Sequence, residues 1–93
     1  MDTDEARTLL AAELARYRSQ SYRELQRLLG AQDTYELIGP SGAKYQVEIQ
    51  AVWDHRPGGD LRVLGAIDDG GWRSFSPLTD DFIISAAGTF VGE

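Results

Sequence analysis

Between Ala43 and Asp54 the chain alternates with a period of two. Tyr45, Val47, Ile49, Ala51 and Trp53 are apolar, and Lys44, Gln46, Glu48 and Gln50 between them are polar. Successive side chains of a strand point to opposite faces, so this run predicts a long strand with one buried face. Arg56-Pro57-Gly58-Gly59-Asp60 follows, then a second run from Leu61 to Ile67, and together they predict a β-hairpin. A hairpin alone cannot hide its apolar face from water. The rest of the chain has to widen the sheet and cover it.

Residues 3–18 supply a cover. Ala6, Leu9, Leu10, Leu14 and Tyr17 recur at helical spacing and form one apolar stripe. Thr3 is the expected N-cap, with Asp4 and Glu5 at the positive end of the helix dipole and Arg16 and Arg18 at the negative end. Ser21-Tyr22-Arg23-Glu24 has the form of a capping box, Leu25, Leu28 and Leu29 give an apolar side, and Gly30 is a stop. The stripe stays in phase through Tyr17, Ser21, Leu25 and Leu28, as one continuous helix would require. The weaker helix formers Ser19-Gln20-Ser21 favour two.

From Tyr35 the period is two. A three-residue loop over Pro40-Ser41-Gly42, with Gly42 left-handed, sets Leu37 opposite Tyr45 and Tyr35 opposite Val47. A two-residue loop would split the apolar residues between faces. In the next hairpin, parity allows Trp53 to face either Leu61 or Val63. The first register opposes Asp54 to Asp60; the second opposes Asp54 to Arg62 and Val52 to Leu64. Charge favours the second, with a loop of Arg56 to Asp60. Asp68-Asp69-Gly70-Gly71 predicts a tight turn that sets Ile67 opposite Trp72 and Leu64 opposite Phe75. Pro77 ends that strand. Phe82-Ile83-Ile84 and Phe90-Val91 continue the apolar pattern, separated by a turn at Ala87-Gly88. Val52, Leu64 and Phe75 then align on the face away from the main core. They are either covered by the C-terminal segment, the favoured arrangement, or exposed as a binding patch.

Composition narrows the chemistry. The chain of 93 residues is one domain and contains no cysteine, which excludes disulfides, thiolate nucleophiles and cysteine-based metal sites. The N-terminus is acidic and leads into no apolar run, so no signal peptide or membrane span is expected, and a cytoplasmic protein is the default. The net charge of −6 lies entirely beyond residue 30. An acidic sheet repels phosphate backbones, which counts against nucleic acid. Arg16, Arg18, Arg23 and Arg27 form a basic exception. They are read as a solvated helix face, with a docking patch for an acidic partner as the sharper alternative.

His55 is the only histidine and follows Asp54 directly, so a catalytic dyad would have to use it. No Gly-x-Ser-x-Gly elbow accompanies Ser74, Ser76 or Ser85, and an exposed loop histidine is the simpler reading. Asp54, Asp60, Asp68, Asp69, Asp80 and Asp81 would make a calcium or magnesium site only if their loops converged. Turn chemistry accounts for them otherwise. Trp53 and Trp72 are expected in the core. Arg62 and Arg73 lie within strands among apolar neighbours; each either pairs with Asp54, Glu48 or Asp68 or binds an anion.

The segments Tyr45-Gln46-Val47-Glu48-Ile49, Trp53-Asp54, Pro57-Gly58-Gly59, Arg62-Val63, Ile67-Asp68-Asp69-Gly70-Gly71-Trp72, Asp81-Phe82-Ile83 and Gly88-Thr89-Phe90-Val91-Gly92-Glu93 stand together in this order. With them residues 21–93 resemble a family of small uncharacterised bacterial proteins. The resemblance implies a bacterial cytosolic domain that stands alone, and it brings no activity, cofactor or catalytic residue.

The expectation is a single α+β domain over residues 1–93. One helix or a helical hairpin over 1–30 packs on an antiparallel meander of four to six strands over 34–91, curled toward a small barrel. The expected function is a small non-enzymatic protein-interaction domain with no cofactor, no metal ligands and no catalytic residue. Its partner would meet either the sheet face (Val52, Leu64, Phe75) or the basic helix face (Arg16, Arg23, Arg27). A metal-dependent or His55-assisted hydrolase and a small anion-binding module are the alternatives. Candidate binding residues are Asp54, His55, Arg62, Asp68, Asp69, Trp72 and Arg73.

Overall fold

In the computed structural model, which describes residues 1–71 and 76–93, helix α1 spans Thr3–Arg18. Its N-cap is Asp2 rather than Thr3: the Asp2 carboxylate accepts the Glu5 N–H at 3.0 Å, one residue earlier than the sequence suggested. A carboxylate at this end also meets the helix dipole favourably, as a threonine hydroxyl cannot. The helices are two. Ser21 opens α2 (Tyr22–Leu25) with a complete capping box, Ser21 Oγ accepting from the Glu24 N–H and Glu24 accepting from the Ser21 N–H, both at 3.0 Å. A short 3-10 turn, Gln26–Leu28, completes the helical region, and Leu25 and Leu28 are fully buried.

Among the described residues the sheet has four antiparallel strands in chain order: β1 (Asp33–Ile38), β2 (Lys44–Trp53), β3 (Leu61–Asp68) and β4 (Leu78–Ile84). It is open and does not close into a barrel. The first hairpin has the expected register, Leu37 opposite Tyr45 and Tyr35 opposite Val47. Its loop closes through Gly39 N–H to Ala43 O at 2.8 Å, with Gly42 at φ 89°.

The second hairpin adopts the other register. Trp53 faces Leu61 and Val52 faces Arg62, and the Asp54 N–H donates to Asp60 O at 2.9 Å. The charge argument fails because Arg62 reaches Asp54 diagonally, so the two need not lie directly opposite. The third hairpin differs as well. Ile67 faces Leu78 and Leu64 faces Asp81, so the segment paired with β3 is Leu78–Ile84. This register places Leu78, Phe82 and Ile84 against Ile67, Val63 and Leu61, burying Phe82 and Ile84. That burial outweighs the local preference of Asp-Gly for a tight hairpin. The expected positions of Trp72, Arg73 and Phe75 lie outside the described residues.

Helix α1 lies along one face of the sheet, with Ala6, Leu10, Leu14 and Tyr17 against Val47, Ile49, Val63 and Ile67 in one core. Gly65 lets it approach. A Cβ there would stand 2.8 Å from Leu10 Cδ1 and 3.2 Å from both Leu14 Cδ2 and Ile49 Cδ1. Beyond β4 the chain turns at Gly88 and folds back, pairing Phe90 with Ile84. Phe90 meets Phe82 edge-on at 5.7 Å, and the Arg18 guanidinium lies 4.2 Å from the Phe90 ring centre and 5.3 Å from that of Phe82 while it pairs with the Glu93 carboxylate. The C-terminal segment therefore packs on the helix side. It does not cover the far face, and Val52 stays 43% exposed.

Candidate functional site

Even-numbered residues of β1 and β2 line the face away from α1, and the registers fix who meets whom. Val52, Arg62 and Ile83 form one row; Gln50, Leu64 and Asp81 the next; then Thr34, Glu48, Ala66 and Thr79; then Glu36, Gln46 and Asp68. Val52 and Leu64 do not share the row expected from the sequence, because the two-residue change of register moves Leu64 opposite Gln50; Phe75 lies outside the described residues. What replaces it is an acidic face with scattered apolar groups. Glu36, Glu48, Asp68 and Asp81 are opposed by Lys44 and Arg62, while Ile38 is 69% exposed at its corner. Among the described residues no helix or strand packs on it.

Arg62 is already engaged. Its Nε and Nη2 donate to Asp54 Oδ1 at 3.1 and 2.7 Å, and its Nη1 pairs with Asp81. Asp54 also lies 3.3 Å, through Oδ2, from His55 Nε2. Asp54, His55 and Arg62 are thus brought together at one end of the sheet, beside an open hollow of about 360 Å³ lined by His55, Arg56, Gly59 and Asp60. The imidazole is 84% exposed, and its recorded partner is a carboxylate that shares its charge with a guanidinium. Of the hydroxyls the sequence offered for this pair, Ser74 lies outside the described residues, and Ser85 Oγ bonds Thr89 Oγ1 at 2.7 Å in the last turn.

Asp68 and Asp69 lie at the other end of β3, roughly 25 Å away at about 3.3 Å per strand residue. Each carboxylate folds onto its own turn, Asp68 Oδ1 accepting from Gly70 N–H at 2.8 Å and Asp69 Oδ1 from Gly71 N–H at 3.0 Å. The second bond holds the Asp69 carboxyl below its ordinary range. These aspartates and those near His55 do not surround one cleft. Among the described residues no three His, Asp or Glu side chains are placed to share a metal ion. Trp53 is half-buried against Tyr22, ring centres 6.4 Å apart.

Two carboxylate clusters between α1 and the sheet escaped the sequence reading. Glu5 accepts from Tyr45 Oη at 2.7 Å and from the Ser41 hydroxyl and N–H at 2.7 and 3.0 Å. These donors, Tyr45 first, lower its pKa, and in return Glu5 pushes the Tyr45 phenol up to about 12. Gly39 makes room, since a Cβ there would stand 2.6 Å from a Glu5 oxygen. Farther along the helix, buried Glu13 accepts from Tyr35 Oη and Arg16 at 2.8 Å. Tyr17 and Arg27 both donate to Asp33, Arg27 through two bonds of 2.9 Å. Burial and then the Glu13 bond raise the Tyr35 phenol; Arg27, then Tyr17, lowers Asp33. Two of the basic helix residues, Arg16 and Arg27, are therefore held by the protein's own carboxylates. The signal for such clasps is a tyrosine on the inner face of the sheet facing a helix carboxylate, as Tyr45 faces Glu5 and Tyr35 faces Glu13, visible only once the helix is docked.

No helix among the described residues is long and apolar enough to cross a membrane. No protein-family model matches the chain, and neither a curated protein nor a solved structure does.

Proposed function

We propose that this chain is a non-catalytic protein-binding domain of the bacterial cytoplasm, which docks a basic partner on the sheet face opposite α1. The observation that carries the reading is the composition of that face. Glu36, Glu48, Asp68 and Asp81 stand in the rows between exposed Ile38 at one end and exposed Val52 at the other, and of the two cations there among the described residues, Lys44 and Arg62, the second is already held by Asp54 and Asp81. A band of carboxylates with an apolar group at either end suits a partner that brings lysines or arginines flanked by apolar side chains. The basic helix alternative has less to offer, since Arg16 and Arg27 are spent on Glu13 and Asp33. The hydrolase and anion-site readings call on loop aspartates that stand at opposite ends of the sheet and on a guanidinium already paired.

The test compares affinity capture by the wild-type protein, by Glu36→Lys/Glu48→Lys and by Arg23→Glu, with mass-spectrometric identification. A partner retained by the wild type and Arg23→Glu but lost by the double variant supports the proposal. Loss with Arg23→Glu alone transfers the site to the helix. Recovery of chaperones only, from a monomeric protein, defeats it.

A further inference from the structure

The two outer edges of the sheet are finished differently. In β4 the backbone groups that point away from β3 belong to Thr79, Asp81 and Ile83, because odd-numbered β3 residues bond toward even-numbered β4 residues. The C-terminal turn occupies part of this edge, Val91 N–H donating to Ile83 O at 2.9 Å. Asp80 and Asp81 put charge on the rest.

The edge of β1 is bare. The loop bond from Gly39 N–H to Ala43 O fixes the alternation, so Asp33, Tyr35 and Leu37 bond to β2. The N–H and C=O of Thr34, Glu36 and Ile38 therefore point outward. Those three residues are exposed, and no hydrogen bond to their backbone groups is formed among the described residues. On the helix side of this edge Tyr35 and Leu37 are only half-buried, and a neighbouring strand would finish covering them.

Resting on the docking function proposed above, we infer that β1 is its contact element: an extended segment of the partner adds to the sheet as a fifth strand, with a lysine or arginine beside Glu36. Charge selects this occupant over a second copy of the chain. Two β1 edges paired antiparallel about their midpoint, the register that uses all three outward residues, set Glu36 directly against Glu36 of the other copy. Like charges so placed repel, and a net charge of −6 on each chain adds to the repulsion. A cationic segment meets Glu36 favourably and brings apolar side chains over Leu37 and Tyr35 on its other face, the pattern of strand addition with alternating pockets.

The probes are an eight-residue peptide alternating lysine with valine and its counterpart alternating glutamate with valine. At a peptide concentration of about 100 times Kd, the lysine peptide slows amide exchange at Thr34, Glu36 and Ile38 by about 100-fold, and the glutamate peptide does not. Glu36→Lys reverses the preference. Thr34→Pro removes one outward N–H without touching a bond to β2, so the fold survives, as circular dichroism checks, while binding of the lysine peptide falls at least tenfold. Equal protection by both peptides, or none at these three amides, overturns the inference. So does protection that rises with protein concentration alone, which would mean self-pairing. A natural partner whose capture survives Thr34→Pro yet is lost with Glu36→Lys/Glu48→Lys leaves the docking face standing and removes β1 from it. Loss of no partner with either variant removes both.

Discussion

Replacing Gly65 with alanine tests the placement of α1 over the sheet. The new methyl would lie 2.8 Å from Leu10 Cδ1 and 3.2 Å from Leu14 Cδ2 and Ile49 Cδ1, in a core where Leu10 and Ile49 are almost fully buried. Overpacking of this kind costs about 1–3 kcal/mol. Against it stands the loss of unfolded-chain freedom when glycine becomes alanine, which stabilises by about 0.4–1 kcal/mol. The cost wins, and Gly65→Ala is expected to destabilise by about 1–2 kcal/mol, read by urea denaturation as a lower midpoint at unchanged slope. In a domain of this size that is a fall in Tm of roughly 5–15 °C. The contact at fault is with Leu10, so Leu10→Ala should partly absorb the methyl. In a double-mutant cycle the pair is expected to couple favourably by about 0.5–2 kcal/mol. A Gly65→Ala protein as stable as wild type, or strict additivity with Leu10→Ala, would refute the close approach of helix and strand.

Other outcomes follow from the same contacts. Glu5 and Asp33 have folded pKa values lowered by Tyr45 and Ser41 and by Arg27 and Tyr17, respectively. Their stabilisation is complete above the ordinary values of 4.5 and 3.8 and is lost as pH falls through the lowered ones. Glu5→Gln/Asp33→Asn should therefore flatten the acid limb of a stability–pH curve and change little near pH 7 beyond a uniform offset. The Tyr45 phenol, raised to about 12, contributes stability that is whole below the ordinary 10 and lost as pH rises through 12; phenolate absorbance should rise in that interval and Tyr45→Phe should remove part of the rise. Arg18→Ala strips the cation from Phe90 and Phe82 and the partner from Glu93. A loss of about 0.5–1 kcal/mol is expected, with faster amide exchange at Val91, whose N–H is bonded to Ile83 O. Titration with calcium, magnesium or zinc should leave Tm unraised, since Asp54 and His55 stand at one end of β3 and Asp68 and Asp69 at the other. A clear rise would show that they converge.

The alternation of odd and even residues and the loop at Gly42 sufficed to read the first hairpin residue by residue, because side-chain direction and turn geometry are local. The capping box at Ser21 was legible for the same reason. Proximity of Asp54, His55 and Arg62 could be expected from their spacing even though the register was not. Electrostatic pairing was the wrong guide to register, since a long arginine satisfies an aspartate from a diagonal position as well as from a direct one.

The chain alone thus determined strand parity, helix ends to within one residue and an α+β architecture, all set by interactions between near neighbours. Docking decided the remainder. The partner of β3, the clasps of Glu5 and Glu13 on tyrosines, the room kept by Gly65 and the bare edge of β1 depend on groups far apart in sequence. Their energies compare whole packed arrangements, and no single segment carries that comparison.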